Sequence, residues 1–151
     1  MIDTCPRRAR KAIDSTAPTQ QTVLRDLGNA AVDDIVTRWS DAWEAGDVDA
    51  IVAMLADDAR YSMPPLPAWY RGKDEIRIFL LRDPLQRRWR FLPTRANGQV
   101  AFGTYRWDDA AAAYMPGGLD VLTLLNGRVS GIVAFLTADL TRFGLPERIR
   151  P

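Results

Sequence analysis

The sequence predicts an α+β fold. A curved antiparallel sheet wraps around three N-terminal helices and leaves a conical cavity open at one end. Two observations predict it. Apolar residues in the first half recur with a helical period, and those in the second half form strand-like runs separated by Asn-Gly turns. Helices and strands are thus segregated along the chain, which is the α+β arrangement. The 151 residues suit a single domain.

Residues 1–21 read as a flexible tail or linker remnant ahead of a pocket domain over 22–151. They mix Pro6, Arg7, Arg8, Arg10, Lys11, Ser15 and Pro18 with few large apolar side chains. Such a stretch cannot offset the entropy lost on ordering. Cys5 reads as a spare thiol there. From Val23 the pattern turns helical. Ile35, Trp39 and Trp43 recur every fourth residue and share one face, with Val32 and Val36 beside them. Gly46 supplies a stop, and Asp47 is suited to cap a second helix running to about Ala56. Its inward stripe is Val48, Ile51, Val52 and Leu55, and Asp57 and Asp58 end it. Arg60 to Met63 reads as a short strand with Tyr61 and Met63 facing one way. The segment PPLPAWYRG that follows cannot continue a ladder, because its prolines lack the donor. A third helix is expected from about Asp74 to Leu81, with Ile76, Phe79 and Leu80 apolar.

The second half reads as a four-strand meander. Trp89, Phe91 and Leu92 lead to Thr94, Asn97-Gly98 turns the chain, and Val100 to Tyr105 returns. The run DDAAAA (Asp108–Ala113) reads as a loop or an irregular hairpin end. Leu119 to Leu125 is a strand, Asn126-Gly127 a second hairpin turn, and Val129 to Leu136 the partner strand. The tail from Thr141, with Phe143 and Leu145, folds back over the sheet.

Composition excludes several chemistries. Histidine is absent and there is one cysteine. Imidazole acid–base catalysis, a Cys-His pair, an internal disulfide and a thiolate zinc site are therefore ruled out. No phosphate-binding or dinucleotide loop is present, so neither a cofactor nor a metal is expected. A net charge of +1 argues against a nucleic-acid binder, which needs excess cations. No run reaches the ~18 apolar residues of a membrane span, and the N-terminus lacks a secretory apolar region. A cytoplasmic protein is expected.

The stretch WEAGDVDAIVAMLADDARYSMPP (Trp43–Pro65) resembles the nuclear-transport-factor-2-like superfamily. That group includes ketosteroid isomerase, SnoaL-type polyketide cyclases and limonene epoxide hydrolase. SMPPLPAWYRG, LPTRANGQ, LDVLTL and RFGLP, in this order over about Gln21–Pro146, resemble the SnoaL-like domain at the C-terminus of a group of extracytoplasmic-function sigma factors. RRARKA (Arg7–Ala12) resembles the basic end of the sigma DNA-binding region. The sigma regions themselves have no counterpart, so the expectation is a domain freed for separate use. The resemblance implies a cystatin-like α+β barrel and allows a homodimer through the outer sheet face.

It also implies site positions. The isomerase's aspartate base falls on Met63, which cannot take a proton. Its oxyanion-hole tyrosine falls on Trp39, which offers one indole N–H. Its oxyanion-hole acid falls on Asp120. Alternation in LDVLTL puts Asp120, Leu122 and Leu124 on one face. If that face lines the cavity, burial raises the carboxyl pKa and lets it act as acid or hydrogen-bond donor. The resemblance to the sigma-factor domains implies a neutral amide or apolar residue there, so an acid is a change toward chemistry. Trp39, Trp43, Tyr61, Met63, Trp69, Tyr70, Trp89, Arg95, Tyr105 and Leu122 are the expected substrate contacts. Trp69 and Tyr70 form a lid, Tyr61 and Tyr105 offer hydroxyls, and Arg95 offers a cation. A second aspartate for epoxide hydrolysis is missing, since Asp139 lies past the last strand.

The expected function is binding of an apolar, polyketide-like substrate and its cofactor-free cyclisation or acid-assisted rearrangement, with Asp120 catalytic. The alternatives are a regulatory or ligand-sensing module that contacts RNA polymerase or a sigma factor, and a sequestering self-resistance protein.

Overall fold

The computed structural model describes residues 19–151. Cys5 and the basic Arg7–Lys11 cluster lie outside that range. Among the described residues, four helices and six strands follow in order. They are α1 (Gln20–Leu27), α2 (Asn29–Ala45), α3 (Val48–Ala53), β1 (Leu55–Ser62), β2 (Trp69–Arg71), α4 (Lys73–Arg82), β3 (Trp89–Ala96), β4 (Gln99–Asp108), β5 (Ala113–Leu125) and β6 (Arg128–Phe135). Short 3-10 turns cover Pro84–Gln86 and Leu140–Phe143. Among the described residues, no helix is long and apolar enough to cross a membrane.

The helical first half is divided more finely than its periodicity suggests. Gly28, at φ 86°, separates α1 from α2. Gln20 and Gln21, assigned from sequence to the tail, belong to α1. The Gln20 side chain works as a substitute strand. Its amide N–H donates to the Leu124 carbonyl at 2.7 Å, and its oxygen accepts from the Leu124 N–H at 2.9 Å. These bonds tie α1 to the end of β5. Further on, Gly46 closes α2 in the left-handed conformation and Asp47 caps α3 by accepting from Ala50 N–H.

The second helix ends three residues early, at Ala53 rather than Ala56. Leu55 is the first residue of a strand, and Asp57 and Asp58 are exposed on that strand rather than at a helix end. The reason lies far away in sequence: β1 pairs in parallel with β6, with Leu55 opposite Val129. The expected all-antiparallel sheet is therefore mixed. The proline segment is corrected too. Pro64, Pro65 and Pro67 stay in the turn, but Trp69–Arg71 re-enters the sheet as edge strand β2 against Arg60–Ser62.

The sheet order is β2-β1-β6-β5-β4-β3, and β3 to β6 form the expected meander. Both Asn-Gly pairs, 97–98 and 126–127, turn with positive φ at both residues, as a tight hairpin requires. β5 begins at Ala113 rather than Leu119. The concave face packs on the helices through one large cluster that includes Trp39, Trp43, Ile76, Phe91, Phe102, Leu122 and Leu124. The convex face carries a second cluster. There Tyr105, Tyr114 and Leu119 pack with Leu140, Phe143, Leu145 and Ile149 of the returning tail.

β3 is an edge strand, and edge donors need partners. The Phe91 N–H donates to Glu44 Oε2 of α2 at 2.9 Å, and Arg90 Nε lies 3.6 Å from the same oxygen. Glu44→Ala is expected to destabilise the protein by about 1–2 kcal/mol in urea unfolding, the order for a part-buried donor left unpaired. Glu44→Gln keeps an accepting oxygen and is expected to recover most of that loss. Equal losses in the two variants would assign the effect to charge instead.

Candidate active site

The concave face leaves a small hollow beside β5. A partly open cavity of about 60 Å³ lies between α2 and the strands, lined by Trp43, Tyr61, Met63, Pro84, Trp89, Phe91, Thr104, Gly117, Asp120, Ala134 and Leu136. The hollow follows from side-chain size. Asp120 stands opposite Ala134 across the β5–β6 ladder, whereas two positions on, Leu122 faces Ile132 and the space is full.

Asp120 lies on the floor, 4% exposed. It has no hydrogen bond or ion pair among the described residues. Desolvation raises its carboxyl from 3.8 to about 7. Tyr61 projects from β1 into the same cavity. Burial, and then the nearby Asp120 charge, push its hydroxyl well above its usual value, so it stays a neutral phenol. The Trp43 Nε1–H is buried without a partner. Thr104 uses its hydroxyl to donate to the Gly118 carbonyl at 3.1 Å. The rings pack tightly: Trp43 stacks on Phe91 at 4.9 Å and meets the Trp89 edge at 5.9 Å.

Of the expected site residues, the fold brings together Trp43, Tyr61, Met63, Trp89 and Asp120. The others sit elsewhere. Trp39 and Leu122 are fully buried in the helix–sheet core and do not border the cavity. Arg95 is exposed near the end of β3, opposite Val100. Tyr105 points to the convex face, where its hydroxyl donates to the Pro146 carbonyl at 2.6 Å. Strand alternation accounts for that, because Phe102 and Thr104 take the concave side. Trp69 and Tyr70 form no lid. Trp69 is 56% exposed under Arg60, and Tyr70 stacks on Phe79 at 4.4 Å. Both are held on edge strand β2, away from the cavity.

Phe91, Thr104, Gly117, Ala134, Pro84 and Leu136 were missed. Phe91 was readable, since it shares a strand face with Trp89 two residues earlier. Gly117 was not, because it occupies a bulge that only the β4–β5 register reveals.

The sequence profile of the SnoaL-like domain matches residues 36–132, more than half of the chain. The chain belongs to the SnoaL-like domain family. Its SnoaL-like fold is shared by solved structures. A SnoaL-like protein from Burkholderia thailandensis is 24% identical, with 74% of this chain and 98% of that one covered at a TM-score of 0.57. A candidate ketosteroid isomerase from Kribbella flavida is 21% identical, with 81% and 92% covered at 0.56. In sequence, the chain is 30% identical to the ECF RNA polymerase sigma factor SigG of Mycobacterium tuberculosis over 98% of its own length. It spans 40% of that protein.

The raised Asp120 pKa fixes a sign. The unfolded carboxyl titrates near 3.8 and the folded one near 7, so the folded protein holds the extra proton between those values. Stability from this group is full below about pH 4, falls as pH rises, and is level above about pH 7. Urea unfolding of the wild type and Asp120→Asn is therefore expected to show a gap that widens in favour of Asp120→Asn from pH 4 to 7. A gap that stays constant over that range would mean the carboxyl is not desolvated.

Proposed function

We propose that this SnoaL-like chain binds a largely apolar small molecule in the cone and promotes its cyclisation or acid-assisted rearrangement without a cofactor. The observation that carries the reading is Asp120, a buried carboxyl that faces a cavity and lacks a protein partner. Held near 7, it supplies a proton or a hydrogen bond at neutral pH, which an ordinary aspartate cannot do. The Tyr61 hydroxyl is a further donor on the same wall. Two donors suit a carbonyl oxygen that gains negative charge as the reaction proceeds. Rings of Trp43, Trp89 and Phe91 suit an apolar frame around it. The resemblance to SnoaL-type polyketide cyclases supports a polyketide-like substrate.

A second reading rests on the sigma-factor likeness along nearly the whole chain. In it the domain is a regulatory or ligand-sensing module that contacts a sigma factor or RNA polymerase through its outer surface.

Native mass spectrometry of the protein taken from its own cells separates the two. The first reading expects a small-molecule adduct that Asp120→Asn weakens. An empty cavity with a polymerase or sigma subunit attached would favour the second. Where the adduct is found, incubation with that compound is expected to give a chemically converted product. Recovery of the compound unchanged would instead mean sequestration. Asp120→Asn is expected to slow conversion by about 10²–10⁴-fold. In the wild type the rate should fall as pH rises through about 7, because the working form is the protonated acid.

A further inference from the structure

The cavity that ends on Asp120 is small for a polyketide-like ligand. Its volume is about 60 Å³. Sites for drug-sized ligands begin at about 300 Å³. Some part of the lining must therefore yield. The floor is the buried set of Trp43, Tyr61, Phe91, Thr104, Asp120 and Ala134. The rim is formed by Met63, Pro84, Trp89, Gly117 and Leu136, which are partly or fully exposed.

We propose that Trp89, seated in the slot left by Gly117, is the wall that sets how large a ligand reaches Asp120. The proposal rests on the reading of this cavity as a small-molecule site and names the residues that set its size selection.

Gly117 is the unpaired residue of a bulge in β5. Thr104 pairs with Gly118, and Tyr105 pairs with Pro116. Its backbone does not call for glycine, since it is not among the residues with positive φ. Space calls for it instead. A Cβ at Gly117 would lie 2.8 Å from Trp89 Cζ3 and 3.3 Å from Thr104 Oγ1. The missing methyl is thus the seat of the indole. At its other end the ring is held by one hydrogen bond, from Nε1–H to the Pro84 carbonyl at 2.7 Å. Pro84 opens the 3-10 turn that joins α4 to β3. Trp89 is the largest side chain on the rim. Displacing it breaks that single hydrogen bond and edge contacts with Trp43 and Phe91. The stacked Trp43–Phe91 pair on the floor stays in place.

The test uses three neutral ketones of one, two and three fused rings: cyclohexanone, 1-tetralone and anthrone. Their dissociation constants are measured by calorimetry on the wild type and on Trp89→Ala, Gly117→Ala, the double variant, Met63→Ala and Asp120→Asn, with thermal melts to confirm folding. Trp89→Ala is expected to shift preference from the one-ring towards the three-ring ketone by about tenfold or more, the scale of a change in pocket size. Gly117→Ala is expected to weaken binding while Trp89 is present and to have a much smaller effect in the Trp89→Ala background, where the closest contact is gone and only Thr104 Oγ1 still meets the added methyl. If Trp89→Ala does not fold, Trp89→Phe should shift preference in the same direction by less.

An unchanged size order in Trp89→Ala, with Asp120→Asn still weakening binding, would overturn the proposal and leave the site reading intact. So would a shift produced by Met63→Ala alone. Failure of every ketone to bind any variant would overturn the site reading and this proposal with it.

Discussion

The packing of one tryptophan stripe against the concave sheet holds the rest of the structure in register. Ile35, Trp39 and Trp43 lie on one side of α2 and are buried against the strands. Trp43 stacks on Phe91 of β3, and the next residue, Glu44, accepts the Phe91 N–H. Two adjacent helix residues therefore hold the outermost strand by its side chain and its backbone together. β3 is the last strand of the sheet, so its closure over α2 is what turns a flat ladder into a cup. The same Trp43 borders the cavity. Core and site share a wall, and a change that loosens one loosens the other.

Within that cup Asp120 works against stability. Its neighbours across the ladders are Phe102 and Ala134, neither of which can pair with a charge. Burying a carboxyl without a partner is unfavourable, and the group responds by keeping its proton up to about pH 7. An acid left open on a hollow is costly in the empty protein and useful once a ligand oxygen fills it. Asparagine or leucine at 120 would serve the fold as well or better. Sites where local stability is given up in this way are where function concentrates.

The sequence made some of this legible and hid the rest for physical reasons. The alternation in LDVLTL placed Asp120, Leu122 and Leu124 on the helix side, and all three are buried there. Both Asn-Gly turns, the Asp47 cap and the Gly46 stop are local signals, and each is where local chemistry put it. Leu55 misled because an inward apolar residue fits the end of a helical stripe and the start of a strand equally. Its partner Val129 lies at the far end of the chain. Trp69 and Tyr70 misled because the prolines before them mask a three-residue strand that exists only by pairing with β1. Tyr105 is a different case: counting alternation from Val100 would have turned it outward. Arg95 was chosen for its charge, and charge alone does not say which face of a strand a residue takes.

The period-two alternation of β5 also bears on how the two readings of function relate. Asp120 belongs to the inner face. Leu119, Val121 and Thr123 belong to the outer one, where with Val133, Phe135 and Phe143 they border a groove of about 510 Å³. Phe135 is 42% exposed there. The cavity and this groove therefore lie on opposite faces of one strand. The two faces nevertheless share one backbone. The bulge at Gly117 seats Trp89 over the cavity, and the next residue, Gly118, approaches the Phe135 carbonyl so closely that a Cβ would stand 2.9 Å away. Phe135 also borders the outer groove.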